Sequence, residues 1–273
     1  MNIRQLKLFA VACMIFDHAV RIFPMHEWLL PLAVRVEAAH PALAVWILDD
    51  LTFGLNFIGR LAAPIFLFCI AQGFLHTHSV KRYLGRLLTA ALAAQIPYVL
   101  FDLAEIRLYG ATEDWWTVPL NILFTLTLGL AALAVYRQCA AENRRWLGLL
   151  AVGAAAGLAR LAHMEGKEGY ILLIFLFYLL RNLPRWQQAL LFLPAVALSR
   201  WGLVLWVITE PSAGAVTNSV INILGNYLGV LVTLFHNGAQ GKTSRAFRLG
   251  MYAFYPAHLA LLALVGFLRP PLV

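Results

Sequence analysis

The chain has 273 residues, of which 62% are hydrophobic and only 12% are Asp, Glu, Lys or Arg. A soluble domain carries about a quarter charged residues, so this composition excludes an ordinary water-facing surface. The formal net charge of +8 does not argue for nucleic acid, because the basic residues fall in short clusters between apolar stretches, which is the pattern of a topology signal.

Apolar runs of bilayer length, about 17–25 residues, occur at 5–24, 53–76, 84–103, 118–137, 146–162, 168–182, 187–208, 217–236 and 248–268. The expected fold is all-α, a polytopic transmembrane helix bundle of about nine spans (eight to ten), forming one domain over 1–273. No linker, low-complexity segment or internal repeat divides it. Arg4 and Lys7 precede an apolar run that lacks a small-residue cleavage site and contains Asp17 and His18, so the first span is expected to persist rather than act as a signal peptide. The stretch 26–51 holds Glu27, Arg35, Glu37, His40, Pro41, Asp49 and Asp50. It reads either as a surface-lying amphipathic helix or as a tenth, poorer span.

Charge bias favours the former. Arg4 and Lys7, Lys81 to Arg86, Arg137 to Arg145, Arg181 and Arg185, and Lys242 to Arg248 fall in alternate connections. Glu27, Glu37, Asp49, Asp50, Asp102, Glu105, Glu113, Asp114, Glu165, Glu168 and Glu210 fall in the others. Lysine and arginine concentrate on the cytoplasmic side of membranes. The expectation is therefore a bacterial inner-membrane protein with a cytoplasmic N-terminus and a periplasmic C-terminus.

Ionisable residues inside spans are costly and usually functional. In the first span Asp17 and Arg21 are four apart, on one helix face and able to pair, with His18 beside them. The plain structural reading is an interfacial ion pair and a satisfied histidine. The second span carries Arg60, which cannot shed its charge, one turn before Pro64. It must meet a carboxylate such as Asp17, backbone carbonyls, or a ligand anion. Gln95, Pro97 and Asp102 follow in the third span, and Asn121 and Thr125 in the fourth, where interhelical hydrogen bonds suffice as an explanation. The ninth span holds Tyr255, Pro256 and His258, and two intramembrane histidines suggest a shared polar cavity. Arg160, Arg200, Asn222 and Asn226 are weaker candidates. Cys13, Cys69 and Cys139 have no metal-ligand spacing, so no metal is expected. No P-loop, HExxH or GxSxG motif occurs.

Taken in order, several stretches resemble the TraX family of bacterial membrane proteins. They are Asp17-His18, the segment from Arg60 to Phe74, Gln95-Ile96-Pro97, the run from Leu120 to Gly129, FHNGAQGK at 235–242 and FYPAHL at 254–259. Glu165-Gly166-Lys167 departs from the family pattern, which carries an Asp-Tyr-Gly triplet there, and Ala239-Gln240 replaces a more basic stretch. The resemblance implies acetyl transfer from acetyl-CoA to the N-terminal amine of a pilin subunit. A sugar or lipid acceptor, a proton-coupled transporter and a noncatalytic pilin assembly factor stay open as alternatives.

On that reading His18 is the proton acceptor or acetyl carrier, with Asp17 and Arg60 as its catalytic neighbours. Arg21, Gln95, Asn121, Tyr255 and His258 line the substrate site. Lys81, Arg82, Lys242 and Arg245 attract the anionic end of CoA. The partners expected are the lipid bilayer and a pilin or other envelope acceptor, with no nucleic acid.

Overall fold

A computed structural model describes residues 1–112 and 114–271, without the side chains of residues 25, 26, 49, 50, 52–54, 56 and 213. Glu113 and the Asp49 and Asp50 side chains, counted above among the loop acids, therefore lie outside the described residues.

Thirteen α-helices are assigned: α1 (Ile3–Ile22), α2 (Met25–Glu37), α3 (Pro41–Trp46), α4 (Thr52–Gly59), α5 (Ala62–His76), α6 (Val80–Leu108), α7 (Ile122–Ala141), α8 (Arg145–Leu161), α9 (Lys167–Leu179), α10 (Arg185–Ser199), α11 (Trp201–Thr209), α12 (Ala213–Thr233) and α13 (Arg245–Leu268). A π-helical turn, Ile47–Leu51, joins α3 to α4, and a 3₁₀ turn, Leu180–Asn182, follows α9. No strand occurs among the described residues, only an isolated bridge between Leu120 and Met164.

The starts of the helices follow local chemistry. Asn2 caps α1 in a reciprocal box with Gln5, while Ser79, Asn121, Ser212 and Ser244 cap α6, α7, α12 and α13 through their side-chain oxygens. Each cap satisfies one of the amides that a helix start leaves without an intrahelical partner.

The all-helical, membrane-type bundle agrees with the sequence, but nine spans is more than length and apolarity support. Among the described residues five segments are long and apolar enough to cross: 57–76, 80–108, 122–141, 214–233 and 245–268. Two more qualify only as broken spans. One joins 3–22 to 27–37 through a bend of 74°, and the other joins α10 to α11 through a bend of 61°. α8 and α9 contain 17 and 13 residues, so at 1.5 Å per residue they extend about 25 and 20 Å, short of a hydrocarbon core of about 30 Å. The short interval 26–51 folds as α2, α3 and the turn leading into α4, with its own small core of Ala33, Ala44 and Ile47.

The main core joins Leu6, Ile65, Phe74, Phe101, Leu130 and Phe192 with residues from most helices. Outward-facing side chains are also apolar: Leu92, Ile96, Leu150, Leu161 and Leu261 are well exposed, as a lipid-facing surface requires.

Two ends of the bundle differ in charge. At one, the Met1 ammonium donates to the Phe235 carbonyl, Arg4 to the Lys242 carbonyl, and Arg185 to the His236 carbonyl. The segment after α12 thus folds back over the start of α1. At the other end Arg269 pairs with Glu27 at 2.7 Å and Arg107 donates to the Arg269 carbonyl at 3.0 Å.

Helix α12 approaches the interruption between α4 and α5 through Gly225 and Gly229, one helical turn apart. A β-carbon on Gly225 would lie 2.6 Å from Arg60 Cβ, and one on Gly229 would lie 2.7 Å from the Leu61 carbonyl oxygen. Small residues at this spacing let helix backbones touch in a membrane. Gly214, on the same helix, faces open space. Gly229→Val is expected to lower stability by about 1–3 kcal/mol through overpacking, while Gly214→Val is expected to leave the thermal midpoint in detergent close to wild type. Equal midpoints for the two variants would contradict this contact.

Candidate functional site

The interruption at Arg60 has a local cause. Pro64 has no N–H, so the Arg60 carbonyl loses its usual partner four residues on, and the proline ring crowds it. Arg60 and Leu61 accordingly fall between α4 and α5. A second interruption falls at Arg200, between α10 and α11. Both breaks open onto one cavity of about 70 Å³, whose polar lining includes Asp17, His18, Arg60, Glu165, Arg200 and Tyr255.

Within it Arg60 Nε lies 3.7 Å from Asp17 Oδ1, an ion pair too long to be a hydrogen bond. Asp17 packs against Gly59, where any β-carbon would collide with its carboxylate. Arg200 donates to the Tyr170 hydroxyl at 2.7 Å and reaches Asn226 Oδ1 at 3.4 Å. The Nε atoms of Arg60 and Arg200 are buried and make no hydrogen bond among the described residues.

His18 Nδ1 is 2.8 Å from His258 Nε2, and His258 Nδ1 is 3.0 Å from the Phe254 carbonyl oxygen. The Phe101 ring meets His18 edge-on at 5.2 Å, and Tyr255 packs against both imidazoles. The sequence inferred a shared polar environment for the two histidines from depth alone, and they are in direct contact.

A second cavity, of about 270 Å³, lies alongside. It shares Asp17 and Arg60 with the first and adds Arg21, Glu105, Tyr109 and Asn218. Arg21 does not pair with Asp17, although the two share a helix face. It pairs instead with Asp102 at 2.9 Å and with Glu105, both on α6. Two carboxylates one turn apart outcompete a single one on the same helix, and Asp17 is left to Arg60.

Gln95 and Asn121 stand beside the cavity rather than in its lining. Asn121 donates to Gln95 Oε1 at 2.8 Å and to the Ala91 carbonyl at 2.9 Å, and its own Oδ1 accepts from Leu123 N at 3.0 Å. The next residue, Ile122, donates its backbone N–H to Glu165 Oε2 at 3.1 Å, and Thr125 donates to the Glu165 carbonyl at 2.7 Å. The start of α7 therefore holds Glu165 in place over the cavity. Sequence reasoning counted Glu165 only as a loop acid and a departure from a family pattern, and it passed over Tyr170, which lies in an apolar run. The one available signal was the position of that departure, immediately before a span.

Lys81, Arg82, Lys242 and Arg245 do not reach the cavity. All four are exposed at the basic end. Thirteen residues of α13 separate Arg245 from His258, about 20 Å along the helix. Among the described residues no group of three or more His, Cys, Asp or Glu is arranged to hold a metal ion.

Asn121 is wholly buried and joins α6 to α7. Asn121→Ala removes the side-chain bonds to the Ala91 carbonyl and Gln95 Oε1 and leaves the Leu123 N–H without its cap, and is expected to cost about 1–3 kcal/mol. The check is the thermal midpoint of the purified protein in detergent, and an unchanged midpoint would count against the network.

The family model described as TraX protein matches residues 2–266. The probable fimbrial assembly protein FimC, serogroup H1, of Dichelobacter nodosus is 29% identical over 263 residues, covering 94% of this chain and 93% of that protein. No solved structure matches. With nearly its whole length matched, including both cavity-lining helix breaks and the histidine pair, the chain belongs to the TraX family.

Proposed function

We propose that this protein is a membrane-embedded acetyltransferase that moves an acetyl group from acetyl-CoA to the N-terminal amine of a pilin subunit. The observation that carries the reading is His18, an imidazole with its Nδ1 hydrogen-bonded, lining a small cavity that also contains Arg60. Family membership and the relative's name, a fimbrial assembly protein, supply the pilus context.

The chemistry follows from the groups present. An amine attacking a thioester carbonyl must lose a proton, and the departing sulfur must gain one. Histidine is the side chain suited to both transfers near neutral pH. His18 takes the amine proton as the carbon–nitrogen bond forms and returns it to the sulfur as the carbon–sulfur bond breaks. In the two-step variant the imidazole carries the acetyl group briefly between donor and acceptor. Arg60 stands where negative charge develops on the carbonyl oxygen. Its buried Nε lacks a hydrogen bond among the described residues, and a preorganised donor aimed at developing charge stabilises the transition state. Asp17 offsets the Arg60 charge and keeps that guanidinium against the cavity.

Size agrees with this division of labour. A cavity of about 70 Å³ holds only a few water-sized groups, enough for an acetyl group but not for a nucleotide. The anionic nucleotide end of the donor is assigned to the basic end of the bundle, where Lys81, Arg82, Lys242 and Arg245 are exposed. By the positive-inside tendency that end faces the cytoplasm of a bacterial inner membrane. The acceptor then approaches from the opposite, periplasmic side, past Arg21 and Glu105 in the adjoining cavity.

Purified His18→Ala protein is expected to lose at least ~100-fold of acetyl transfer from acetyl-CoA to a pilin N-terminal peptide, the lower range for a general acid–base group. The variant is to be compared at matched elution profile and thermal midpoint. Full transfer by a folded His18→Ala protein would sink the assignment.

A further inference from the structure

We infer that His258 is a positioning residue that holds His18 as its Nδ1–H tautomer, so that the lone pair on His18 Nε2 is the atom presented to the cavity. The chain of hydrogen bonds leaves one arrangement for two neutral rings. The Phe254 carbonyl can only accept, so His258 Nδ1, 3.0 Å away, carries its proton. A neutral imidazole has one donor and one acceptor nitrogen, which makes His258 Nε2 an acceptor. His18 Nδ1 lies 2.8 Å from that acceptor and must donate to it. The remaining nitrogen of His18, Nε2, therefore has no proton. It has no hydrogen-bond partner among the described residues, and His18 itself lines the cavity.

The relay begins at a backbone atom, which gives it a fixed direction. The carbonyl belongs to α13 itself, one turn before His258, so the tautomer of His258 does not depend on a second side chain. Packing restrains both rings. Phe254 stacks on His258 with centroids 4.9 Å apart and planes 6° from parallel, while Phe101 stands edge-on to His18. A 180° flip of either ring would put a carbon where a nitrogen now bonds and break a hydrogen bond. The opposite polarity, with His258 donating, needs a second proton on His258, and no carboxylate pairs with that ring among the described residues.

The tautomer stands on geometry alone, whereas its use in acetyl transfer rests on the proposed function. In that reaction the amine proton binds Nε2 while the Nδ1 proton stays where it is. The positive charge that appears on the ring is shared through the Nδ1–H bond to His258. No proton crosses to His258, and the proton on Nε2 leaves with the thiol.

The test uses the full-length protein labelled with nitrogen-15 in histidine, as wild type, His258→Gln and His258→Leu. Ring nitrogen–proton correlation spectra distinguish the two neutral tautomers, and acetyl transfer is measured in parallel. Wild type is expected to show His18 protonated at Nδ1. The Gln variant offers an amide oxygen to the same proton and is expected to keep both the tautomer and the rate. The Leu variant offers no acceptor and is expected to lose the single tautomer, with kcat falling at least ~10-fold, as for other outer partners of functional histidines, while KM changes little. An Nε2–H pattern for His18 in wild type would overturn the inference, as would a Leu variant with unchanged tautomer and kcat. A wild-type protein with the expected tautomer but no acetyl transfer would overturn the proposed function and leave the tautomer standing.

Discussion

A guanidinium in a hydrocarbon layer cannot neutralise itself by losing a proton, and much of this structure can be read as an accommodation of that fact. Arginine placed mid-span costs about 2.5–3.5 kcal/mol on insertion scales, so each such residue has to bring helices to it. Arg21 draws α1 against α6 through Asp102 and Glu105. At one end of the bundle rather than mid-span, Arg269 ties the end of α13 to Glu27. Arg160 joins the end of α8 to Glu168 at 2.7 Å. Arg200 reaches across to α9 and α12 through Tyr170 and Asn226. Arg60 is the incomplete case, with one carboxylate at 3.7 Å and a buried Nε without a hydrogen bond.

The same economy explains why the two cavity-lining arginines sit at helix breaks. A continuous helix satisfies its own backbone and offers little to a neighbour. An interrupted one frees carbonyls and lets a side chain turn inward. Pro64 creates the interruption at Arg60, and the bare backbones of Gly225 and Gly229 allow α12 to close over it. Glycine and proline here act as a matched set, one opening the ladder and the other admitting the partner that covers it.

The sequence was most legible where a signal is repeated along one helix. The long apolar runs of α6, α7, α12 and α13, the pairing of Asp17 with Arg60 as one of its open choices, and the nearness of His18 to His258 all follow from one-dimensional reading. What it misjudged depends on facts held between helices. The i, i+4 spacing of Asp17 and Arg21 argues for a local pair, and only the arrival of α6 with two carboxylates reverses that choice. Glu165 and Tyr170 reach the cavity because the turn before α9 is pinned to the start of α7 by Leu120, Ile122 and Thr125, a pairing across more than 40 positions that no periodicity encodes. The count of nine spans goes beyond the five to seven that helix length and apolarity support among the described residues. α8 and α9 are as apolar as their neighbours but end early, and hydropathy alone does not measure whether a helix reaches both surfaces of a bilayer.

Two cavities share Asp17 and Arg60 as a common wall. In most membrane proteins the barrier to ions is thickness: several layers of packed hydrocarbon side chains, each layer redundant with the next. Here the wall that the two spaces share includes an ion pair held at 3.7 Å. Such a partition is permeable in a way that leucine and phenylalanine are not, because a carboxylate can accept a passing proton and an ion pair can admit water without leaving a void. A proton or a water molecule passing from one space to the other would therefore meet two opposite charges rather than hydrocarbon, and parting Asp17 from Arg60 would change how readily the two spaces communicate.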